Sequence, residues 1–280
     1  MPANRKPEAT GNAAFAASKD GTKLAIEKVG KGPALVIVGG ALSQRDGGKP
    51  LAGKLSEQFT VYVYDRRGRG ESGDTQPYAV EREIEDLDAL IRQAGGSAYV
   101  YAVSSGAALA LQAAAKLGPA KITKLAVYEP PYGQEPKEFD EQKERISQLI
   151  RTGKPGDAAE YFFTAIGTPP PALQEMKRSP AWEGFKKLDF TLAYDYAVLG
   201  NGNIPGSVKQ ISVPTLVLDG EETLPFIHPT ADHLAQLIPS AERKTIPGQS
   251  HQAAPEVVAP LLSEFFREQA PRLATGDTRR

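Results

Sequence analysis

Short, continuously apolar runs recur along this chain at intervals filled by amphipathic stretches, and no other feature limits its possible folds as much. "ALVIV" (34–38), "FTVYVYD" (59–65), "AYVYAVS" (98–104), "KLAVYE" (124–129) and "PTLVLDG" (214–220) are each short and rich in β-branched or aromatic residues. Strands that are apolar on both sides are buried on both faces, as in a parallel sheet covered by helices. "KLAIEKV" (23–29) alternates instead, as an outer strand with one wet face does. Val80, Ile84, Leu87 and Ile91 keep helical spacing, which predicts a helix packing through that face with "EREIED" (81–86) turned to water. The expected class is therefore α/β, a mostly parallel central sheet flanked by helices.

The alternation breaks after "YEPPY". From residue 134 to 205 the period is helical and aromatics accumulate, in "EYFFTAIG", "PAWEGFKKLDF" and "LAYDYAVLG", before the strand pattern resumes at Val213. The expected organisation is a flexible tail over 1–19, a core over 20–133 and 206–270, and a helical cap inserted over 134–205. "PEVVAPLLSEFFREQ" predicts a terminal helix that starts late or kinks at Pro260, followed by an unstructured "LATGDTRR".

Composition removes several classes of function. A net charge of −1 with acids and bases interleaved leaves no electrostatic footprint for nucleic acid or an anionic membrane. No apolar run approaches the roughly 20 residues of a membrane span. The polar N-terminal stretch lacks the apolar core of a signal peptide, so the expected location is the cytoplasm. With no cysteine the chain has no thiolate nucleophile or thiolate metal site, and with three histidines a zinc centre is not expected. No metal or cofactor is expected.

"YAVSSGAALAL" joins a strand-like run to an alanine-rich, helix-like one through two serines. A sharp strand-to-helix turn of the form small-x-Ser-x-small projects the serine hydroxyl above the sheet, and the close approach of backbones demands the small flanking residues. With Ser104 at the centre, Ala102 and Gly106 occupy the small positions; with Ser105 there, the β-branched Val103 would have to fit. Ser104 is therefore the expected nucleophile. Ser105, at the start of the helix, is the residue whose backbone N–H faces a developing oxyanion.

Together "ALVIVGGAL", "VYDRRGRGESG", "YAVSSGAA" and "IPGQSH", in this order, make the chain resemble the α/β-hydrolases. The resemblance runs from Asp20 to Gln269 and implies that family's fold and a serine-hydrolase mechanism. It also implies a second oxyanion donor, the N–H of Ala41, in a loop where glycine 39 replaces the family's usual histidine. The general base is expected at His251, in a loop near the C-terminus where the family carries it, with His228 and His233 read as surface histidines. Asp65 reads as a structural turn residue.

The acid departs from the family's common pattern. Its usual place, three residues past Gly220, is held by Thr223. The alternative place that the resemblance offers, used by zearalenone-type lactone hydrolases, is the end of the preceding strand, and there stands Glu129, closed off by two prolines. The expected triad is Ser104, His251 and Glu129, with Glu222 as the alternative acid. The expected substrate is a small, mainly apolar carboxylic ester or lactone, contacted by Gly40, Phe163, Trp182 and Tyr194. Two other activities fit the same scaffold: a cofactor-free perhydrolase or haloperoxidase, and a catalytically weak ligand-binding receptor.

Overall fold

The computed structural model describes residues 14–268, so the C-terminal "LATGDTRR" lies outside the described residues. Eight strands form one sheet: β1 (Ala14–Ala17), β2 (Lys23–Val29), β3 (Ala34–Val38), β4 (Thr60–Tyr64), β5 (Ala98–Val103), β6 (Ile122–Tyr128), β7 (Thr215–Gly220) and β8 (Ala241–Ile246). They lie in the order β1-β2-β4-β3-β5-β6-β7-β8. β1 and β2, and β2 and β4, pair antiparallel, and the rest of the sheet is parallel. This is the mostly parallel α/β sheet that the strand pattern predicted, in an arrangement consistent with the fold the resemblance implied.

The period-two alternation of the strands divides the core in two. Val36, Val38, Val100, Ala102 and Val127 point to one face, with Leu87, Leu90 and Leu111 from the helices α2 (Val80–Gln93) and α3 (Ser105–Leu117). Leu35, Ile37, Val61, Val63 and Leu218 point to the other. There they meet Leu51 and Leu55 of α1 (Arg45–Leu55) and Leu262 and Phe266 of α10 (Pro255–Arg267). Helix α3 lies deepest, with nine of its residues buried, because alanine and glycine let its backbone approach the sheet. Between β6 and β7 the chain forms α4 (Pro136–Thr152), α5 (Asp157–Ala165), α6 (Pro170–Arg178), α7 (Ala181–Leu188) and α8 (Leu192–Leu199); α9 (Ile227–Leu237) follows β7.

Three expectations are corrected. The stretch taken as tail contains β1, which pairs with β2 across a turn where Gly21 has φ +84° and Asp20 accepts the Thr22 N–H. Helix α10 does not start late: it begins at Pro255 and continues through Pro260. Proline there leaves the Glu256 carbonyl without its helical donor, but Glu256 is exposed and water can replace it. On α2, Glu83 and Asp86 do not face water: both are buried against arginines from the loop after β4.

Candidate active site

The parallel strands deliver their C-terminal ends to one edge of the sheet, and the expected site residues gather there. The non-glycine residues with positive φ among the described residues are Leu42 (φ 55°), Ser104 (φ 56°) and Glu129 (φ 48°). They lie just past β3, β5 and β6. Such conformations cost of order 1–3 kcal/mol each and concentrate where geometry serves a site.

Ser104 is half-buried with ψ −128°, and its carbonyl accepts the N–H groups of Ala107 and Ala108 as α3 begins. Its own N–H continues the sheet ladder to the Tyr128 carbonyl at 2.9 Å. A Cβ on Gly106 would stand 2.4 Å from the Gly39 carbonyl oxygen, so only glycine allows this turn to pack under the loop after β3. Ser105 is different: its hydroxyl is buried and donates to Asp195 Oδ1 at 2.7 Å. The side chain of Ser105 is thus occupied, while its N–H, at the first position of α3, has no intrahelical acceptor. The Ala41 N–H, in the loop after β3, likewise has no partner among the described residues.

Glu129 is fully buried and its two carboxylate oxygens have separate partners. Oε1 accepts the Gly220 N–H at 2.8 Å and Oε2 lies 2.6 Å from His251 Nδ1. Burial alone would raise the Glu129 pKa. The bonds to His251 and Gly220 and the attraction of the imidazole outweigh it and hold the carboxyl below its ordinary range. The histidine loop is fastened from below. The Tyr128 hydroxyl donates to the Ser250 carbonyl, Ala254 N–H donates to Gln249 Oε1 at 2.8 Å, and Gly220 carries no Cβ that would meet the Gln249 carbonyl at 2.2 Å.

Glu222 is exposed; its backbone N–H holds the Gln249 carbonyl at 2.8 Å, and its carboxylate is not the one against His251. His233 is exposed, and His228, its side chain 38% exposed as a surface histidine, bonds through Nδ1 to Asp219, a buried strand-end carboxylate also held by Arg243. Asp65 is a turn residue, accepting the N–H groups of Arg45 and Glu71 at 2.7 and 3.0 Å.

Ser104, His251, Gly40, Ala41 and Phe163 line one cavity of about 550 Å³. Trp182 and Tyr194 do not line it. Trp182 packs behind Phe163 and Phe185, and Tyr194 stacks on Tyr78 at 3.8 Å between ring centroids while bonding Asp74 and Gln76. Helical periodicity put these aromatics in the insertion without saying which side of each helix faces the sheet. The walls that were missed come mostly from the core: Ile37, Leu51, Val63, Tyr101, Tyr128 and Val258, with Ile166 from the end of α5. Every one reads as ordinary core in sequence.

Beside the Ser104 turn lies a buried cluster of charge. Arg66 grips Glu83 through two bonds of 2.7 Å and reaches Asp195 at 2.9 Å, and Arg69 grips both oxygens of Asp195 at 2.8 and 2.9 Å. Burial would raise the Asp195 pKa, but the charges of Arg69 and Arg66 and the Ser105 bond hold it low.

Residues 35–261 match the alpha/beta hydrolase family, and the chain belongs to that family of enzymes. It is 49% identical to an alpha/beta hydrolase from Sphaerobacter thermophilus, whose structure superposes with a TM-score of 0.83 over 90% of this chain and 100% of that one. It is 25% identical to the 2-(acetamidomethylene)succinate hydrolase of Mesorhizobium japonicum over 87% of this chain and 91% of that protein. An enol-lactonase from Burkholderia xenovorans shares the fold, with a TM-score of 0.73 at 20% identity over 91% of this chain and 100% of that one. No helix among the described residues is long and apolar enough to cross a membrane.

Proposed function

We propose that the protein is a serine hydrolase of small, mainly apolar carboxylic esters or lactones, working through an acyl-enzyme. The observation that carries this reading is the buried Glu129 carboxylate against His251 Nδ1, in a cavity that His251 shares with Ser104. A hydroxyl is a weak nucleophile at neutral pH and needs a base. With Nδ1 bonded to Glu129, the imidazole presents Nε2 to take the Ser104 proton as Oγ attacks the substrate carbonyl. The N–H groups of Ala41 and Ser105 hold the tetrahedral oxyanion. Collapse expels the alcohol, or in a lactone the ring oxygen, which takes the proton back from His251. Water then attacks the acyl-enzyme by the same route and frees Ser104.

Residues 134–205 act as a cap in this reading, α5 closing the cavity with Phe162, Phe163 and Ile166. The substrate class follows from the walls. Among the described lining residues Arg45 is the one Lys or Arg, and its guanidinium is committed to Asp65 and Glu71. One cation facing two carboxylates leaves no net positive charge for an anionic substrate, while Ile37, Leu51, Val63 and Val258 offer apolar wall. An apolar acyl group therefore suits this cavity better than a dicarboxylate such as the M. japonicum relative's succinate derivative. A panel of neutral esters and lactones of increasing chain length, with a dicarboxylate half-ester included, tests this on the wild type and Ser104→Ala. Turnover of neutral substrates that vanishes in Ser104→Ala is expected; preference for the half-ester, or an active Ser104→Ala, would contradict it.

A further inference from the structure

With glycine at both 39 and 40, the loop after β3 has no side chain at the turn itself, yet the Gly40–Ala41 peptide must keep one orientation for its N–H to serve. A Cβ on Gly40 would lie 3.0 Å from Ser104 Cβ, so a side chain there would crowd Ser104, and glycine brings backbone freedom with it. The restraint comes partly from Ser43 within the loop and partly from Arg69 outside it. Arg69 Nη1 donates to the Gly40 carbonyl oxygen at 2.7 Å, and Ser43 Oγ donates to the same oxygen at 2.7 Å.

We propose that Arg69 is a positioning residue for the oxyanion hole, fixing and polarising the Gly40–Ala41 peptide from beneath. The inference rests on Ala41 being an oxyanion donor, as in the reading above. In a trans peptide the C=O and N–H point in opposite directions, so a guanidinium holding the Gly40 oxygen turns the Ala41 N–H the other way. Ala41 lines the cavity. A cation on the carbonyl also polarises the amide, making its N–H a stronger donor.

Arg69 is itself held in place. It is 1% exposed, and its Nη2 bonds both oxygens of Asp195, which α8 brings down from the helical insertion. Asp195 also accepts from Ser105 Oγ, and Arg66 Nη1 reaches the Gly39 carbonyl at 3.4 Å. One carboxylate thereby ties the insertion to both sides of the oxyanion hole. Arg66 and Arg69 against Glu83 and Asp195 make a neutral set, but burying four charges costs desolvation that their attraction often fails to recover. Control of the oxyanion loop gives such a cluster a role that packing alone does not.

The test compares wild type, Arg69→Met and Arg69→Lys, with rates counted per active site by fluorophosphonate titration of folded protein. Removing an oxyanion donor outright costs about 10²–10³ in kcat. Arg69→Met, which leaves the donor present but its peptide held by Ser43 alone, is expected to lower kcat about 30- to 300-fold with KM changed less than about threefold, and to weaken binding of an alkylboronic acid, a tetrahedral mimic, in parallel with kcat/KM. Arg69→Lys keeps a cation with one reach and should fall between, about three- to tenfold down with the same split. If Arg69→Met does not fold, the split in Arg69→Lys decides. Variants that melt earlier yet keep wild-type kcat and boronate affinity per labelled site would overturn the proposal. Absence of labelling in the wild type would overturn this proposal and the serine-hydrolase reading together, whereas labelling without the split overturns this one alone.

Discussion

Replacing Glu129 with Gln keeps the side chain's shape and puts the whole site into conflict. In the wild type both carboxylate oxygens accept, one from the Gly220 N–H at 2.8 Å and one from His251 Nδ1 at 2.6 Å. A carboxamide has one acceptor to offer. If its oxygen stays on Gly220, its NH₂ faces Nδ1, which must then accept; the imidazole proton moves to Nε2, and the base cannot take the Ser104 proton. If it flips, NH₂ faces the buried Gly220 N–H and leaves that donor unsatisfied, at about 1–3 kcal/mol. The first arrangement is the expected one. By analogy with tautomer-trapping substitutions of this kind, kcat should fall about 10³- to 10⁴-fold, about 4–5.5 kcal/mol in the barrier, with KM little changed. Stability adds a second readout. The Glu129 pKa is depressed in the folded state, so its stabilising contribution is complete above the ordinary glutamate range and disappears as pH falls through the lowered value. The stability gap between wild type and Glu129→Gln, from denaturant melts at stepped pH, should therefore close in acid. A variant with kcat within tenfold of wild type and an unchanged gap would refute the reasoning.

Glu222→Gln should change kcat less than about threefold, because only its backbone touches the histidine loop; loss comparable to Glu129→Gln would move the acid to the common position. Ser105→Ala should keep turnover within a few-fold while losing about 1.5–3 kcal/mol of stability in a chemical melt, since it removes a hydroxyl bonded to the buried Asp195 carboxylate. Gly106→Ala drives a methyl to 2.4 Å from the Gly39 carbonyl oxygen and should cost about 1–3 kcal/mol together with most of the activity. For Asp20, burial works against a low pKa, but the Thr22 bonds and the Arg67 guanidinium hold it at about 2. Its contribution is full above the ordinary aspartate pKa and lost as pH falls toward 2, so the stability difference between wild type and Asp20→Asn should shrink over that window.

What the sequence made legible was whatever local pattern alone decides. Strand length and apolarity identified the parallel sheet, and the small residues around Ser104 favoured one register of the turn. The strand-end place of Glu129 could be read from "VYEPP", but the 2.6 Å approach to His251 is a product of sheet order across 122 residues of chain. Partnerships between separate elements, even at short separation in sequence, account for the misreadings. Glu83 and Asp86 have the spacing of a wet helix face, and only Arg66 and Arg67, brought in from another loop, make them buried. Trp182 and Tyr194 satisfy the same periodicity as Phe163, and which of them meets the cavity depends on how each helix is rotated against the core. Arg69 stood in a motif that already read as fold-defining, so nothing local set its contact with Gly40 apart.

The most direct test of the central claim is to label the protein with a fluorophosphonate, digest it, and locate the adduct by mass spectrometry. The adduct is expected on Ser104, absent from Ser104→Ala and retained in Ser105→Ala. An adduct on Ser105, or ester hydrolysis that proceeds with Ser104 unlabelled, would contradict the account.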